Sequence, residues 1–210
     1  MNVIVCICSK SPNPFLYKCI KRLYAIQIAH AYEVHVVDSG SDDLANYAKV
    51  SRDFPEVKLH MINNKNYEYG AWKYIVTNYQ ADIYLCIQDT ILIHKYIDLS
   101  VVNDNTAYMF HCTRGFTSHP SIKQLGVDLL EKSRLNFTSL IDDKFELCQH
   151  CSFIVTRPVL EKIFDDLPVP PTKKDGSCCY ERLFGLFFIH HGVDTLDLYD
   201  FMRKKHGNRR

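Results

Sequence analysis

The sequence lacks a charge excess of either sign. Over 210 residues, 25 Lys and Arg stand against 24 Asp and Glu, a formal +1. Dedicated nucleic-acid binders usually carry a basic excess, so the balance argues against that class. Five of the basic residues (Arg203, Lys204, Lys205, Arg209 and Arg210) fall in the last eight positions. They read as a solvated basic tail, 203–210, and leave the rest slightly acidic. Long apolar runs are missing too. Leu183 to Ile189 is far below membrane-spanning length and contains a glycine. Val3 to Cys8 has no basic start and is too short for a secretion-signal core. No internal repeat or long linker interrupts the chain. The expectation is one domain with no membrane span.

Apolar residues make up 47% of the chain, enough for one sizeable core. Nine cysteines is a high and odd count. Cys6, Cys8, Cys86 and Cys112 sit inside apolar runs, where free cysteine behaves as a small buried hydrophobe. A reducing, cytoplasmic setting follows, in which the sequon Asn136-Phe137-Thr138 is not modified.

The pattern along the chain alternates strand and helix. Asn2 to Cys8 predicts a buried strand. Asn13-Pro14 opens a helix, with Leu16, Cys19, Ile20 and Leu23 at helical spacing. Val34 to Asp38 is a second strand, Asp42 or Asp43 caps a helix through Phe54, and Val57 to Ile62 is a third strand. Gly70 to Tyr79 is helical and Asp82 to Ile87 is a fourth strand. This alternation means βαβ units and a largely parallel sheet. Later, Ile91 to Ile93, Tyr108 to Cys112 and Cys151 to Thr156 predict strands. Ile122 to Lys132 and the segment after Pro158 predict helices. The proline-rich stretch 167–171 is a connector, Lys173-Lys174-Asp175-Gly176 a polar turn, and Cys178 to His191 a well-packed helix.

Two aspartates stand out on this frame. Val36-Val37-Asp38-Ser39-Gly40-Ser41 and Leu85-Cys86-Ile87-Gln88-Asp89 each run an apolar strand into an acid. Open α/β sheets bind ligands at the carboxyl ends of their strands. A carboxylate there can hold a ribose or base, or Mg²⁺ or Mn²⁺, which take oxygen ligands and keep substrate phosphates as co-ligands.

These motifs resemble the GT-A glycosyltransferases, the inverting family-2 branch above all. Val37-Asp38-Ser39-Gly40-Ser41-Asp42 is similar to that family's nucleotide-contacting strand end. Asn63-Asn64-Lys65-Asn66 with Gly70-Ala71-Trp72-Lys73 is similar to its third-strand asparagine and helix start, and Gln88-Asp89 stands in the place of its acidic DXD motif. The resemblance covers roughly the first ninety residues. It implies a single α/β domain of GT-A (Rossmann-like) type over 1–202, with a mostly parallel central sheet flanked by helices. Within it, 1–90 would be the nucleotide-binding half and 91–202 the acceptor half. It further implies a nucleoside diphosphate sugar, of UDP type, as donor, a glycan or glycoside hydroxyl as acceptor, and Mn²⁺ or Mg²⁺ as cofactor. Asp38, Ser39, Asn66, Gly70, Lys73 and Gln88 would bind the donor, with Arg114 a further cation for the diphosphate. Asp89 would bind the metal, with His190 or His191 as a further ligand. Glu181 or Asp175 would be the base, with Asp142 and Asp143 behind them. Only one acid stands in the DXD position, which thins the charge available to a metal. Small enzymes of this kind are encoded by large DNA viruses, and a viral origin would place the chain in the host cytoplasm.

Two other readings compete. Cys148-Gln149-His150-Cys151 with Cys178-Cys179 offers a zinc or redox module, although one CxxC falls short of the four ligands a structural zinc takes. A nucleotidyltransferase would share the sheet and the metal, but it wants a glycine-rich loop after the first strand. The stretch Ser9 to Pro14 has no glycine.

Overall fold

The computed structural model describes residues 1–10, 14–26, 32–116, 120–135 and 144–205. The expectations for Asn13, for Asp142 and Asp143, for the sequon at 136–138 and for Arg209 and Arg210 fall outside those residues.

Strand β1 (Val3–Ser9) is buried along its whole length. Its alternate side chains enter two separate cores, so its continuous Val/Ile/Cys run has an apolar partner on either face. Val3, Val5 and Ile7 pack with Leu16, Ile20 and Leu23 of helix α1 (Pro14–Ile26). Ile4, Cys6 and Cys8 join the other core. Strand β2 (Tyr32–Asp38) pairs in parallel with β1. Helix α2 (Ala45–Asp53) leads to β3 (Lys58–His60), which pairs in parallel with β2. The chain then returns through α3 (Tyr67–Asn78) to β4 (Ile83–Gln88), on the other side of β1 and again parallel.

The second half completes the sheet. Strand β5 (Ile91–Ile93) leaves it, and β6 (Thr106–Thr113), α4 (Pro120–Leu130), β7 (Glu146–Thr156), α5 (Arg157–Asp166), α6 (Lys174–His190), β8 (Asp194–Asp197) and β9 (Met202–Lys204) follow. The sheet order is β3-β2-β1-β4-β7-β6-β8. Strand β7 is antiparallel to both β4 and β6, while β6 and β8 are parallel. All the sheet strands but β7 therefore run one way. The result is an α/β domain with a mostly parallel central sheet flanked by helices. Helix α6 lies close on β7 because Gly185 has no side chain: a Cβ there would sit 2.3 Å from the Glu146 carbonyl oxygen.

The structure corrects two expectations here. The polar turn around Asp175 and Gly176 is the first turn of α6. Residues 203 and 204 are not a frayed tail: β9 pairs antiparallel with β5, Ile91 opposite Lys204, and Lys205 N–H bonds the Thr90 carbonyl at 2.8 Å. Three-residue strands leave no periodicity to read, and a basic stretch near a terminus looks like solvent-facing chain. All nine cysteines are free thiols, seven of them buried, as their apolar surroundings imply. No helix of the described residues is long and apolar enough to cross a membrane.

Candidate active site

Sequence order reverses between β1 and β4, which makes the gap at their carboxyl ends the switch point where such sheets bind ligands. Ser9 ends β1 there and Asp89 follows β4. The Asp89 N–H bonds the Cys8 carbonyl at 3.1 Å, and Ser9 Oγ donates to Asp89 Oδ2 at 2.8 Å. Burial pushes the Asp89 carboxyl up to about 6. The Ser9 hydroxyl and the Lys204 charge pull against that, and the Glu68 charge adds to it.

Asp38, at the end of β2, is placed differently. Oδ2 accepts the N–H groups of Gly40 (2.9 Å) and Ser41 (3.0 Å). Oδ1 accepts the hydroxyls of Tyr47 (2.8 Å) and Ser41. Gly40 makes this turn at φ +76°, a conformation that favours glycine. Burial raises the carboxyl, but the Ser41, Tyr47 and Gly40 donors outweigh it and hold it below its ordinary value.

A second group of polar side chains gathers beside Asp89. Strand β7 bulges where Met109 pairs with Phe153 but His111 pairs with Cys148. Inside the bulge His150 (φ +62°) and Cys151 (φ +49°) both take the left-handed conformation, which costs on the order of 1 kcal/mol or more each outside glycine. The bulge presents His150 to Glu181 of α6: the His150 N–H donates to Glu181 Oε1 at 2.8 Å. Burial raises the Glu181 carboxyl, partly offset by that N–H. Lys204 reaches in from β9. Its ammonium donates to Gln88 Oε1 at 2.7 Å and lies 3.1 Å from His150 Nδ1. Gln88 Nε2 donates to Glu68 Oε1 at 2.6 Å, and Ser177 Oγ donates to Glu68 Oε2 at 2.9 Å. The structure thus brings together Asp89, Gln88 and Glu181, which the sequence pattern singled out for this site, with His150, which it placed in a zinc or redox module, and with Ser9, Glu68 and Lys204, which it gave no role in a site. Glu68 falls outside the helix that the sequence predicts from Gly70. Its one distinguishing signal was a place just ahead of the Gly70-Ala71 helix start.

Ser39 lines a cavity of about 260 Å³ at the β1–β2 edge, with Lys10, Gly40, Asn63, Asn64, Lys65 and Tyr67. A larger cavity, about 720 Å³, lies across the 63–66 segment and holds Asn66, Gly70 and Lys73. It opens beside α3; neither cavity is lined by Asp89 or Gln88, and the smaller one, with Lys10 and Ser39, lies at the ends of β1 and β2. Asn64 braces the wall between them, donating to Ser39 Oγ (3.0 Å) and to the Tyr67 carbonyl (2.7 Å). Gly70 makes that possible: a Cβ there would lie 2.0 Å from Asn64 Oδ1. Asn66 bonds the Pro171 carbonyl through Nδ2 at 3.0 Å.

Other candidates stay apart from this group. Asp175 is exposed on the first turn of α6, and Arg114 is exposed beyond β6. His191 pairs with Asp166 at 2.7 Å. It stands ten residues beyond Glu181, about 15 Å along the helix, so α6 carries His190 and His191 away from Asp89. The CxxC reading fails on burial. Cys148 and Cys151 bond the carbonyls of Ser152 and Ser177, and burial pushes both thiols far from the thiolate a metal needs. Among the described residues no three His, Cys, Asp or Glu side chains form a metal-holding group. Trp72 is core, with Nε1 bonded to the Cys151 carbonyl at 3.1 Å. The donor chemistry at Asp89 nevertheless fits a divalent cation. Its carboxylate is a hard oxygen ligand that shares a divalent ion with substrate phosphates, while the Gln88 amide oxygen is held by the Lys204 ammonium at 2.7 Å.

No family model and no curated protein sequence matches the chain. Among solved structures it is similar to the mannosyltransferase PcManGT from Pyrobaculum calidifontis in complex with GDP-Man and Mn²⁺. The TM-score is 0.56 at 14% identity, covering 93% of this chain and 54% of that one. The likeness is one of fold, an α/β domain, and this chain spans about half the length of that protein.

Proposed function

We propose that the chain is a glycosyltransferase that moves a sugar from a nucleoside diphosphate, of UDP type, to a hydroxyl of a glycan. The observation that carries this reading is the Ser9–Asp89 pair at the β1–β4 switch point, beside a cavity of the fold's nucleotide edge. The likeness to a GDP-Man-bound mannosyltransferase supports glycosyl transfer in general. The Asp38 carboxylate is spent on its own turn, so it shapes the Ser39–Ser41 wall, and Ser39, Lys10 and Tyr67 meet the nucleoside.

The Asp89 carboxylate, with the donor's phosphates as co-ligands, would hold Mn²⁺ or Mg²⁺. When bound, such an ion supplies the positive charge that stabilises a leaving diphosphate. Ser9 fixes the Asp89 carboxylate from behind. Glu181 takes the proton of the acceptor hydroxyl: burial raises its affinity for a proton, as a base working near neutral pH requires. As that hydroxyl oxygen bonds the anomeric carbon, the bond from that carbon to the diphosphate oxygen breaks and its electron pair leaves with the diphosphate. Asp175 is the less suited base, because it is exposed.

A thermal-shift panel of UDP-, GDP- and other nucleotide-sugars, with and without Mn²⁺, tests the reading. A ligand at a hundred times its Kd adds about 2.7 kcal/mol to the native state, or roughly 5–10 °C in Tm for a chain of this size. A Tm that no nucleotide moves would contradict it.

A further inference from the structure

We infer that the cavity of about 720 Å³ beside α3 is a second binding site, for a saccharide that carries an anionic group. The saccharide class rests on the proposed function, which delivers sugar to a glycan. The preference for an anion rests on the cavity's own lining. The volume falls within the roughly 300–1,000 Å³ of small-ligand sites. Its walls are tied together by the fold. Tyr69 donates its hydroxyl to the Leu167 carbonyl at 2.7 Å, and Asn66 Nδ2 donates to the Pro171 carbonyl at 3.0 Å. These bonds fix α3 against the proline-rich connector, and Gly70 adds no side chain to the space. Walls already held in place lose little freedom when a ligand binds, which favours affinity.

The lining decides the ligand. Among the described residues it holds Lys65 and Lys73 and no Asp or Glu, in a chain whose acids and bases are almost equal in number. Neither lysine is paired with an acid among the described residues. The Lys73 ammonium rests 5.8 Å from the centre of the Tyr69 ring. Such a lining attracts an anion. The remaining polar groups suit sugar hydroxyls, since the Asn63 and Asn78 amides and the Thr77 hydroxyl both donate and accept. Asn78 Nδ2 is bonded to the Tyr74 carbonyl at 2.8 Å, which leaves its amide oxygen to accept. Tyr74, half-buried, adds aromatic surface against which the C–H face of a sugar ring packs. The site also adjoins the nucleotide edge. Asn63, Asn64 and Lys65 line this cavity and the smaller one alike, so the two ligands share a wall.

Calorimetric titration of saccharides into the nucleotide-free chain tests the site. Trigalacturonate carries carboxylates and glucose 6-phosphate a phosphate, so the pair separates the two sources of charge. Maltotriose is the neutral control and inorganic phosphate the bare anion. At least one charged saccharide should bind about ten-fold or more tightly than either control. Thr77→Trp, at an exposed position of α3, fills the cavity and should abolish that binding. Lys73→Gln, which keeps the length of the side chain nearly unchanged, should weaken it about five-fold or more. Melting each variant without ligand checks its fold. The inference is overturned if neither charged saccharide binds, if maltotriose or inorganic phosphate binds as tightly, or if both variants bind like wild type. Displacement of the saccharide by UDP or GDP from this cavity would make it a nucleotide site and overturn it too. If the saccharides fail while a nucleotide-sugar still raises the Tm, this inference falls and the transferase reading stands. If a charged saccharide binds and no nucleotide does, the site stands and the transferase reading falls.

Discussion

Asp38 and Asp89 end strands on either side of β1, on one edge of one sheet, and they are buried to similar degrees, with 4% and 9% of their surfaces exposed. Their chemistry is opposite. Asp38 is closed by four donors from its own turn and from α2, and is held below the ordinary carboxylate range. Asp89 has one hydroxyl donor, is pushed up to about 6, and faces a lysine from a distant strand. An acid saturated with donors stabilises the fold. An acid buried with too few is held ready for a ligand, and the fold carries the cost.

The sharpest way to break this contrast is to delete each acid. Asp89→Ala should reduce transfer roughly a thousand-fold, the scale seen when an electrostatic group acting at a transition state is removed, with the Tm of the free protein held or raised. Near-normal turnover in that variant would place the chemistry elsewhere. Asp38→Ala should act on the fold first. It strands the Tyr47 and Ser41 hydroxyls and two N–H groups, at a cost of about 3 kcal/mol, a Tm loss of roughly 5–10 °C. Melting both variants without ligand measures the difference.

A smaller effect sharpens the contrast along pH. Asp38 titrates lower folded than unfolded, so its contribution is present above about pH 4 and is lost as pH falls through its depressed value. Asp89 titrates higher folded than unfolded. Its contribution is full below about pH 4 and is lost as pH rises through about 6. Asp89→Asn should therefore gain stability relative to wild type as pH rises from 4 to 7, by up to about 3 kcal/mol. Asp38→Asn should lose most at neutral pH and approach wild type in acid. Denaturant melts at several pH values read both trends, and parallel curves for the two variants would erase the distinction.

Much of the fold was legible in the sequence, because central parallel strands are apolar throughout and helices betray themselves by spacing. Every strand and helix from β1 to β4 lies where Val, Ile and Cys runs and the Leu16-Cys19-Ile20-Leu23 stripe predict. The candidate site was half legible. Asp89 and Glu181 followed from position, at a strand end and on the last long helix. Glu68 and Lys204 did not, because a helix-start acid and a terminal lysine are common on solvated surfaces. Only the β5–β9 pairing and the Gln88 bridge give them meaning. Asp38 shows the reverse problem: its motif is plain, but sequence does not reveal that Gly40, Ser41 and Tyr47 consume all its acceptor capacity. The His150 bulge was hidden inside a CxxC spacing that drew attention to two buried thiols.

The central claim is that Asp89, and not the turn-bound Asp38, is the aspartate that meets the ligand. Isothermal titration of Mn²⁺·UDP and Mn²⁺·GDP into wild type and Asp89→Asn tests it most directly. The account predicts measurable binding of at least one nucleotide to wild type and at least a ten-fold loss in Asp89→Asn, with the free variant melting no lower than wild type at pH 7. Equal nucleotide affinity in the two proteins would contradict it.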